Sequence, residues 1–285
     1  MKKIIFAVVA ALLMLTTNTT RAQESVAGAD VIKLFMTTTT CIVLDDNIFN
    51  TYNNEVKAAV EKSWTITPYE FISVAEFEKR KFNSNYSFLI RTKDTYKADA
   101  DKMNYRFLSL LQGGKYGSVY HMPTLCSFPI AYYESSDDNY YEMGAIVRFV
   151  QNHVNLTKEH PELTEKNIIQ YYNKNVTAIG DKTLYLIDEQ LAKDVNTDAE
   201  IKPIYSKKFK IVKDEDDIKK LIKDQNPNIA FLHKVGPPVG SPKAARCFKI
   251  VMGTDGSIYY VDFHKISTKT PDGFLKTDFK ELNKK

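Results

Sequence analysis

The chain has 285 residues, of which 44% are hydrophobic, and its formal net charge is +4. This length accommodates one large domain or two ordinary domains, each with a core of its own. So small a charge excess supplies no basic surface for a phosphate backbone, and this argues against nucleic-acid binding.

The first 22 residues have the layout of a secretory signal peptide. Lys2 and Lys3 precede an apolar run from Ile4 to Leu15, and a small-residue cleavage site ends at Ala22. The apolar run is too short to span a bilayer, and no second candidate follows it. Cleavage would leave 36 basic against 35 acidic side chains. We therefore expect an exported protein, periplasmic or extracellular, with no transmembrane segment in the mature chain.

Elements of the same kind recur in the same order along the chain and predict an internal duplication. Each copy begins with a strand that ends in two acidic residues, continues with two more strands, and closes with a glycine-turn hairpin. Such agreement indicates one folding unit used twice. The matched segments are 40–49 with 183–192, 64–67 ("WTIT") with 209–212 ("FKIV"), 86–90 with 229–233, and 110–122 with 248–261.

Helices are predicted between the strands of each copy. Capping signals at Ser73 and Asp214 each open a helix after the second strand. An apolar stripe over 48–60 predicts the first helix of copy one, with Asn53 on its polar side. Its counterpart contains Pro203 and should be shortened or broken. Each copy is thus predicted to be a small domain of α/β (α+β) class, strand-helix-strand-helix-strand-hairpin, with helices on a mixed sheet.

The segment between the copies has no partner and predicts a helical insert. Apolar residues recur at helical spacing over 143–154, and a second helix is expected from Pro161. The tail carries enough apolar side chains to pack on the second copy. The predicted boundaries are 1–22 signal peptide, 23–37 N-terminal extension, 38–135 repeat 1, 136–180 helical insert, 181–268 repeat 2, and 269–285 C-terminal tail.

Paired acidic residues end the first strand of each copy, as Asp45 with Asp46 and Asp188 with Glu189. Ligands gather at the carboxyl ends of strands in open α/β sheets, where two carboxylates can bind a divalent cation or share a proton. The alternative is that they cap the helix that follows, whose positive end favours acids. Their repetition in both copies favours capping.

Four tyrosines surround an acidic loop at the end of copy one, in "AYYESSDDNYYE" (131–142). Tyr132, Tyr133, Tyr140 and Tyr141 could form a face for a protein or a glycan, since a tyrosine ring supplies contact area and its hydroxyl a hydrogen bond. The alternative is that they pack the insert against the sheet, as tyrosines beside strands commonly do.

The cysteines and histidines show no catalytic or metal-binding spacing. Cys41, Cys126 and Cys247 lack CxxC motifs and are expected to be buried free thiols, with a Cys41–Cys247 disulfide as the alternative. His121 lies five residues before Cys126, which places the two on opposite faces of a strand unless the chain bends. Most of the other four histidines are expected at the surface or at strand ends. No metal, cofactor or phosphate loop is predicted.

The leader "MKKII…RAQ", the stretch "KSWTITPYEFI" (62–72) and the closing "TPDGFLKTDFKEL" resemble a group of uncharacterised exported proteins from Bacteroidota. The resemblance extends over nearly the whole mature chain. It implies a location in the cell envelope and brings no activity and no site residues with it.

Two functions are compatible with these features. The first is a non-enzymatic binding or assembly protein of the cell envelope, which uses the cleft between the copies or the tyrosine-rich surface to bind a protein or small ligand. The alternative is a hydrolase acting on envelope material, with Asp45, Asp46, His121 or Cys126 taking part. The absence of a paired nucleophile and base favours the first.

Overall fold

The computed structural model describes residues 26–47, 50–95, 104–132, 139–237 and 245–284. The predicted signal peptide lies outside these ranges. The strands within them are β1 (Thr39–Leu44), β2 (Tyr69–Ser73), β3 (Tyr86–Thr95), β4 (Asn104–Gln112), β5 (Thr124–Tyr132), β6 (Thr183–Ile187), β7 (Phe209–Val212), β8 (Ile229–Val235), β9 (Arg246–Gly253) and β10 (Ile258–Lys265). The α-helices are α1 (Ala29–Phe35), α2 (Thr51–Ser63), α3 (Val74–Arg80), α4 (Met143–Glu159), α5 (Ile168–Asn173), α6 (Asp198–Ile201), α7 (Asp216–Lys223) and α8 (Lys276–Leu282).

The strands form two five-stranded mixed sheets with the same topology, which confirms the predicted α/β (α+β) class. Sheet 1 has the order β2-β1-β3-β4-β5, and sheet 2 has the corresponding order β7-β6-β8-β9-β10. The first strand of each copy along the chain, β1 or β6, runs parallel to both of its neighbours in the sheet. The last three strands of each copy pair with one another antiparallel. Parallel neighbours need a crossover connection, and α2 with α3 supply these in copy one.

The second strand of copy one lies further along the chain than the sequence predicts. Residues 64–67 ("WTIT") were expected to form it, but the strand is Tyr69–Ser73. Trp64 instead ends α2, and its buried indole donates a hydrogen bond to the Thr67 hydroxyl at 3.1 Å. Alternation of apolar residues over four positions does not distinguish a strand from a helix end whose apolar side chains turn inward. The matching strand of copy two, Phe209–Val212, is confirmed.

The predicted apolar stripe is present in α2 from Tyr52 to Val60, whereas positions 48 and 49 lie outside the described residues. The counterpart of this helix in copy two is reduced to the four residues of α6. Asn53, expected on the polar side of α2, is buried. Its amide accepts a hydrogen bond from the Asp45 backbone N–H at 2.9 Å and donates to the carbonyls of Asp45 and Asn47. An asparagine that satisfies backbone groups in this way is stable inside a core. Ser73 caps α3 as predicted.

The two sheets stay separate, but they share one continuous hydrophobic core. The largest buried cluster joins α2 and sheet 1 residues such as Leu108 to sheet 2 residues such as Phe231 and Ile250, through α4 of the insert. Each copy was expected to bury its sheet under its own helices, with the insert packed on copy one or bridging the two copies, and the structure shows the bridging arrangement. The apolar residues of α4 line most of its circumference, so that it packs against both copies at once.

The hairpin turn of copy two holds α4 in place. Gly256 has φ +80°, and a Cβ at this position would come within 2.4 Å of the Phe149 backbone nitrogen in α4. Only glycine permits both this conformation and this approach. Arg148 and Asn152 of α4 also donate to the turn, to the Thr254 carbonyl at 2.8 Å and the Asp255 carbonyl at 3.1 Å. The hairpin is therefore a contact between the insert and copy two.

The insert and the tail differ in how closely they follow the prediction. The second insert helix begins at Ile168, seven residues after the expected Pro161. The tail docks as expected, with Phe274, Phe279 and Leu282 fully buried against copy two. Across the described ranges, none of the helices has both the length and the apolar character needed to cross a bilayer.

The three cysteines are buried and free, in agreement with the predicted thiols. Burial raises the pKa of Cys41 and of Cys247 to about 12 in each case. Since the thiolate is the reactive form, we expect native protein to resist a chromogenic disulfide reagent at pH 8 and to release about three equivalents of chromophore only in guanidinium. Rapid release of one equivalent from native protein would contradict this.

Candidate functional site

Asp45 lies at the carboxyl end of β1 and forms an ion pair instead of capping α2 directly. The carboxylate accepts hydrogen bonds from the Arg91 guanidinium of β3 and from the Asn50 side-chain amide at 2.7 Å. Asn50 is itself the N-cap of α2, and its oxygen accepts from the Tyr52 N–H at 2.8 Å. Asp45 therefore positions the cap, and the direct cap expected of the acidic pair is wrong for this helix.

Tyr140 and Tyr52 surround the same arginine. Arg91 donates to the Tyr140 hydroxyl at 2.7 Å, and its guanidinium carbon lies 4.8 Å from the centroid of the Tyr52 ring. Burial opposes the charge of Arg91, but Tyr140 and Asp45 outweigh it, so that the pKa of Arg91 is raised. For Tyr52, in contrast, burial itself raises the pKa of the hydroxyl. The arrangement keeps Arg91 charged and Tyr52 neutral, and it anchors the insert to sheet 1.

Tyr141, which follows Tyr140 in the chain, faces copy two. Burial and the adjacent Glu142 raise the pKa of Tyr141, and Glu215 and Glu189 add to this effect. The ammonium of Lys219 lies 5.7 Å from the Tyr141 ring centroid. The turn 139–142 thus brings Tyr140 to Arg91, the partner of Asp45 in copy one, and Tyr141 into the field of Glu189 in copy two.

The remaining predicted acidic residues are spread along the surface. Asp46 and Glu189 are exposed, and Asp188 with Glu189 starts a 3-10 turn at the end of β6. Among the described residues no three His, Cys, Asp or Glu side chains are grouped as a metal site. The four carboxylates therefore occupy corresponding strand ends without converging on one point.

The predicted tyrosine face is wrong for two of its four residues. Tyr132 and Tyr140 are 4% and 3% exposed, and they pack against Tyr105 and Tyr52 with ring centroids 5.5 and 5.6 Å apart. Tyr141 is half-buried, and Tyr133 lies outside the described residues. Tyrosines next to a strand end supply apolar area to a junction more readily than to solvent. Here Tyr132 packs in a cluster with Val235 and Phe248 of copy two, and Tyr140 packs against α2.

His121 and Cys126 do not form a nucleophilic pair. Cys126 is fully buried in the shared core, whereas His121 is exposed on a 3-10 turn (119–121) and lies 2.9 Å from the Ser118 hydroxyl through Nδ1. With Asp45 held by Arg91, the side chains named for the hydrolase alternative lie in separate environments.

A buried Glu–His pair links the copies, and the sequence did not indicate it. Glu142 and His233 have fully buried side chains, and Glu142 Oε2 contacts His233 Nδ1. His233 Nε2 donates to the Pro129 carbonyl of β5 at 2.8 Å, so that one imidazole joins both sheets and the insert. His153 is also fully buried, 2.7 Å from the Tyr172 hydroxyl. Most of the histidines were expected at the surface or at strand ends, and this does not hold for His153 and His233.

A small groove lies on the face of sheet 1 that points away from α4, and no feature of the sequence indicated it. We call it the hydroxyl groove. It encloses about 50 Å³. Alternation along β4 turns Leu108 and Leu110 into the shared core and Ser109 towards the groove. The lining residues are Thr92, Lys93, Asp94, Phe107, Ser109, Leu111, Val119, Tyr120, Thr124 and Ser127.

Three hydroxyls form a row across the floor of the hydroxyl groove. Ser109 Oγ lies 2.8 Å from Thr92 Oγ1 and 3.0 Å from Ser127 Oγ, so that the row crosses β3, β4 and β5. Three hydroxyls carry three protons, and their two mutual hydrogen bonds use two of them. Among the described residues the third proton has no further acceptor, so that one O–H of the row is available to a ligand, alongside unused oxygen lone pairs.

Aromatic rings stand at two sides of the hydroxyl groove. Tyr120 is 65% exposed, and its hydroxyl donates to the Lys93 carbonyl at 3.1 Å, which holds the ring at the rim. Phe107 on the other side packs against Phe248 of copy two, with ring centroids 6.0 Å apart. The groove thus adjoins the contact between the copies. Each of the three strands contributes one hydroxyl to the row, so that no local spacing in the sequence marks the groove.

No protein-family model, curated protein or solved structure matches this chain.

Proposed function

We propose that the chain is a non-enzymatic binding protein of the cell envelope, exported through its N-terminal leader, and that it binds its ligand in the hydroxyl groove. The observation that carries this proposal is Tyr120, a tyrosine held by its own hydroxyl yet 65% exposed at the rim of a polar concavity. Ligand sites are concave and combine aromatic area with a few placed polar groups.

The position of the hydroxyl groove supports the same proposal. On one side the apolar face of sheet 1 is covered by α3, through a buried cluster that includes Phe77 and Leu111. On the other side it is covered by copy two, through a cluster that includes Phe107 and Phe248. Among the described residues, the groove occupies the strip between these two clusters, and its lining comes from copy one. A concavity beside a packed contact is a frequent place for a binding site.

A Tyr120→Ala variant should lose ligand binding without losing stability. Because the ring is largely solvent-exposed, its removal should change the free energy of unfolding by less than about 0.5 kcal/mol. A tyrosine that anchors a contact contributes about 2 kcal/mol or more, so that the affinity for captured material should fall about thirtyfold. The measurement is capture of protein and carbohydrate from a solubilised envelope fraction on immobilised mature chain, together with thermal unfolding of each variant.

The matched control is Tyr69→Ala, which removes a tyrosine that is 37% exposed on β2. It should leave capture unchanged. Equal capture by wild type, Tyr120→Ala and Tyr69→Ala would refute the proposed site. Release of hydrolysed products from the captured material would favour the hydrolase alternative instead.

A further inference from the structure

We infer that the hydroxyl groove recognises the acetamido group of an N-acetylated saccharide, an inference that rests on the proposed function. The groove is lined by both polar and apolar groups, and its volume is that of a single small substituent. Tyr120 at the rim supplies a flat surface beside it.

The volume limits what can enter. A space of about 50 Å³ for water-sized spheres holds about three to five waters, at roughly 10 to 15 Å³ for each. An acetamido group has four non-hydrogen atoms and replaces about that number of waters. A whole sugar ring is too large, so the ring has to remain outside, next to Tyr120.

The floor matches the hydrogen bonds that a secondary amide needs. The unused proton of the Thr92–Ser109–Ser127 row can be donated to an amide carbonyl, and a hydroxyl oxygen of the same row can accept from the amide N–H. A row of three hydroxyls can reverse the direction of its internal hydrogen bonds, so that the donor is available at either end.

The apolar part of the lining matches the methyl group of the same substituent. Leu111 and Val119 line the groove beside the hydroxyls, together with Phe107. A methyl group placed against them removes apolar area from water, at about 25 cal/mol per Å². A hydroxyl group in its place would gain none of this.

The charge of the hydroxyl groove favours a neutral ligand. Lys93 and Asp94 are the charged residues of its lining, and their charges are opposite. A site of this kind provides no net attraction for a phosphate, a carboxylate or an ammonium group. The sugar ring of a neutral saccharide can lie on the Tyr120 ring, which offers area at small entropic cost.

The test uses two trisaccharides that differ at a single substituent of each ring. Chitotriose carries an acetamido group at carbon 2, and cellotriose a hydroxyl group. We expect saturation-transfer NMR and calorimetry to show chitotriose binding to the mature chain, with cellotriose about tenfold weaker or undetectable because it cannot fill the groove. Tyr120→Ala and Ser109→Ala should each weaken chitotriose binding about tenfold or more, while Tyr120→Phe, which keeps the ring, stays within about threefold of wild type.

The outcomes separate the ligand class from the proposed function. If neither trisaccharide binds while envelope capture still depends on Tyr120, the saccharide inference is overturned and the binding function stands. If cellotriose binds as well as chitotriose, the acetamido group is not what is recognised. If chitotriose binds Tyr120→Ala and Ser109→Ala as tightly as wild type, the saccharide lies elsewhere. If neither trisaccharide binds and capture is independent of Tyr120, both proposals fail.

Ser109→Ala is scored only if its melting temperature is within a few degrees of wild type; otherwise Ser127→Ala replaces it.

Discussion

Replacing Lys249 with methionine should lower the free energy of unfolding by about 3 to 5 kcal/mol, the cost of leaving a buried carboxylate without its partner. Lys249 is fully buried in β9, and its ammonium lies 2.8 and 2.7 Å from the two carboxylate oxygens of Asp278. Asp278 is 1% exposed and also accepts hydrogen bonds from the Tyr260 hydroxyl at 2.7 Å and the Leu275 N–H at 2.6 Å. The lysine therefore holds the start of α8 on sheet 2.

The chain contains its own control for this substitution, because the tetrapeptide "FKIV" occurs twice. Lys210 is the lysine of the "FKIV" segment at 209–212. It is exposed on the edge strand β7, whereas Lys249 of the other segment is buried. Lys210→Met should therefore change the free energy of unfolding by less than about 0.5 kcal/mol. Chemical denaturation of both variants, followed by circular dichroism, measures the difference. A loss below about 1 kcal/mol for Lys249→Met would show that Tyr260 and Leu275 satisfy Asp278 without the lysine.

Glu142→Ala should destabilise the protein by a similar amount, about 3 to 5 kcal/mol, and should weaken the packing of the two copies against each other. Glu142 and His233 have no exposed side-chain area, and His233 already donates its Nε2 proton to the Pro129 carbonyl. Removal of the glutamate leaves His233 Nδ1 buried without its partner and opens a cavity between the insert and both sheets. Denaturation monitored by tryptophan fluorescence gives the loss in stability, since Trp64 lies in the shared core.

An exposed pair of the same two residue types provides the comparison. His160 Nδ1 lies 3.0 Å from Glu162, and the side chains are 41% and 68% exposed. Glu162→Ala should leave the free energy of unfolding close to that of wild type, because solvent screens the pair. If Glu142→Ala were as mild as Glu162→Ala, a water molecule or a shift of His233 would have to replace the carboxylate. In Glu142→Gln the amide can donate to Nδ1, so that this variant should lie between the two.

Elements that depend on neighbours along the chain were predictable. The stripe of α2 follows from residues three and four positions apart, and the Ser73 cap from residues three apart. The repeated order of strands and hairpins implied two sheets of one design, since a repeated local pattern folds into a repeated unit. The docking of the tail followed from its apolar residues in the same way.

Features that depend on distant residues were not predictable. The Asp45–Arg91 pair joins residues 46 positions apart, and Glu142 and His233 are 91 apart. Nothing near either residue in the chain marks it as a partner. The hydroxyl groove likewise requires that β3, β4 and β5 pair in one particular register, which brings Thr92, Ser109 and Ser127 side by side.

The two "FKIV" segments separate what the sequence determined from what the fold decided. Both were read as strands from their local alternation, and both are strands. The sequence by itself could not assign them different environments, because their four residues are identical. The tertiary structure placed one at the edge of sheet 2, with Lys210 in solvent, and the other inside the sheet, where Lys249 meets Asp278. Local pattern specifies the secondary structure, whereas burial and charge pairing depend on which strands and helices the rest of the chain packs around it.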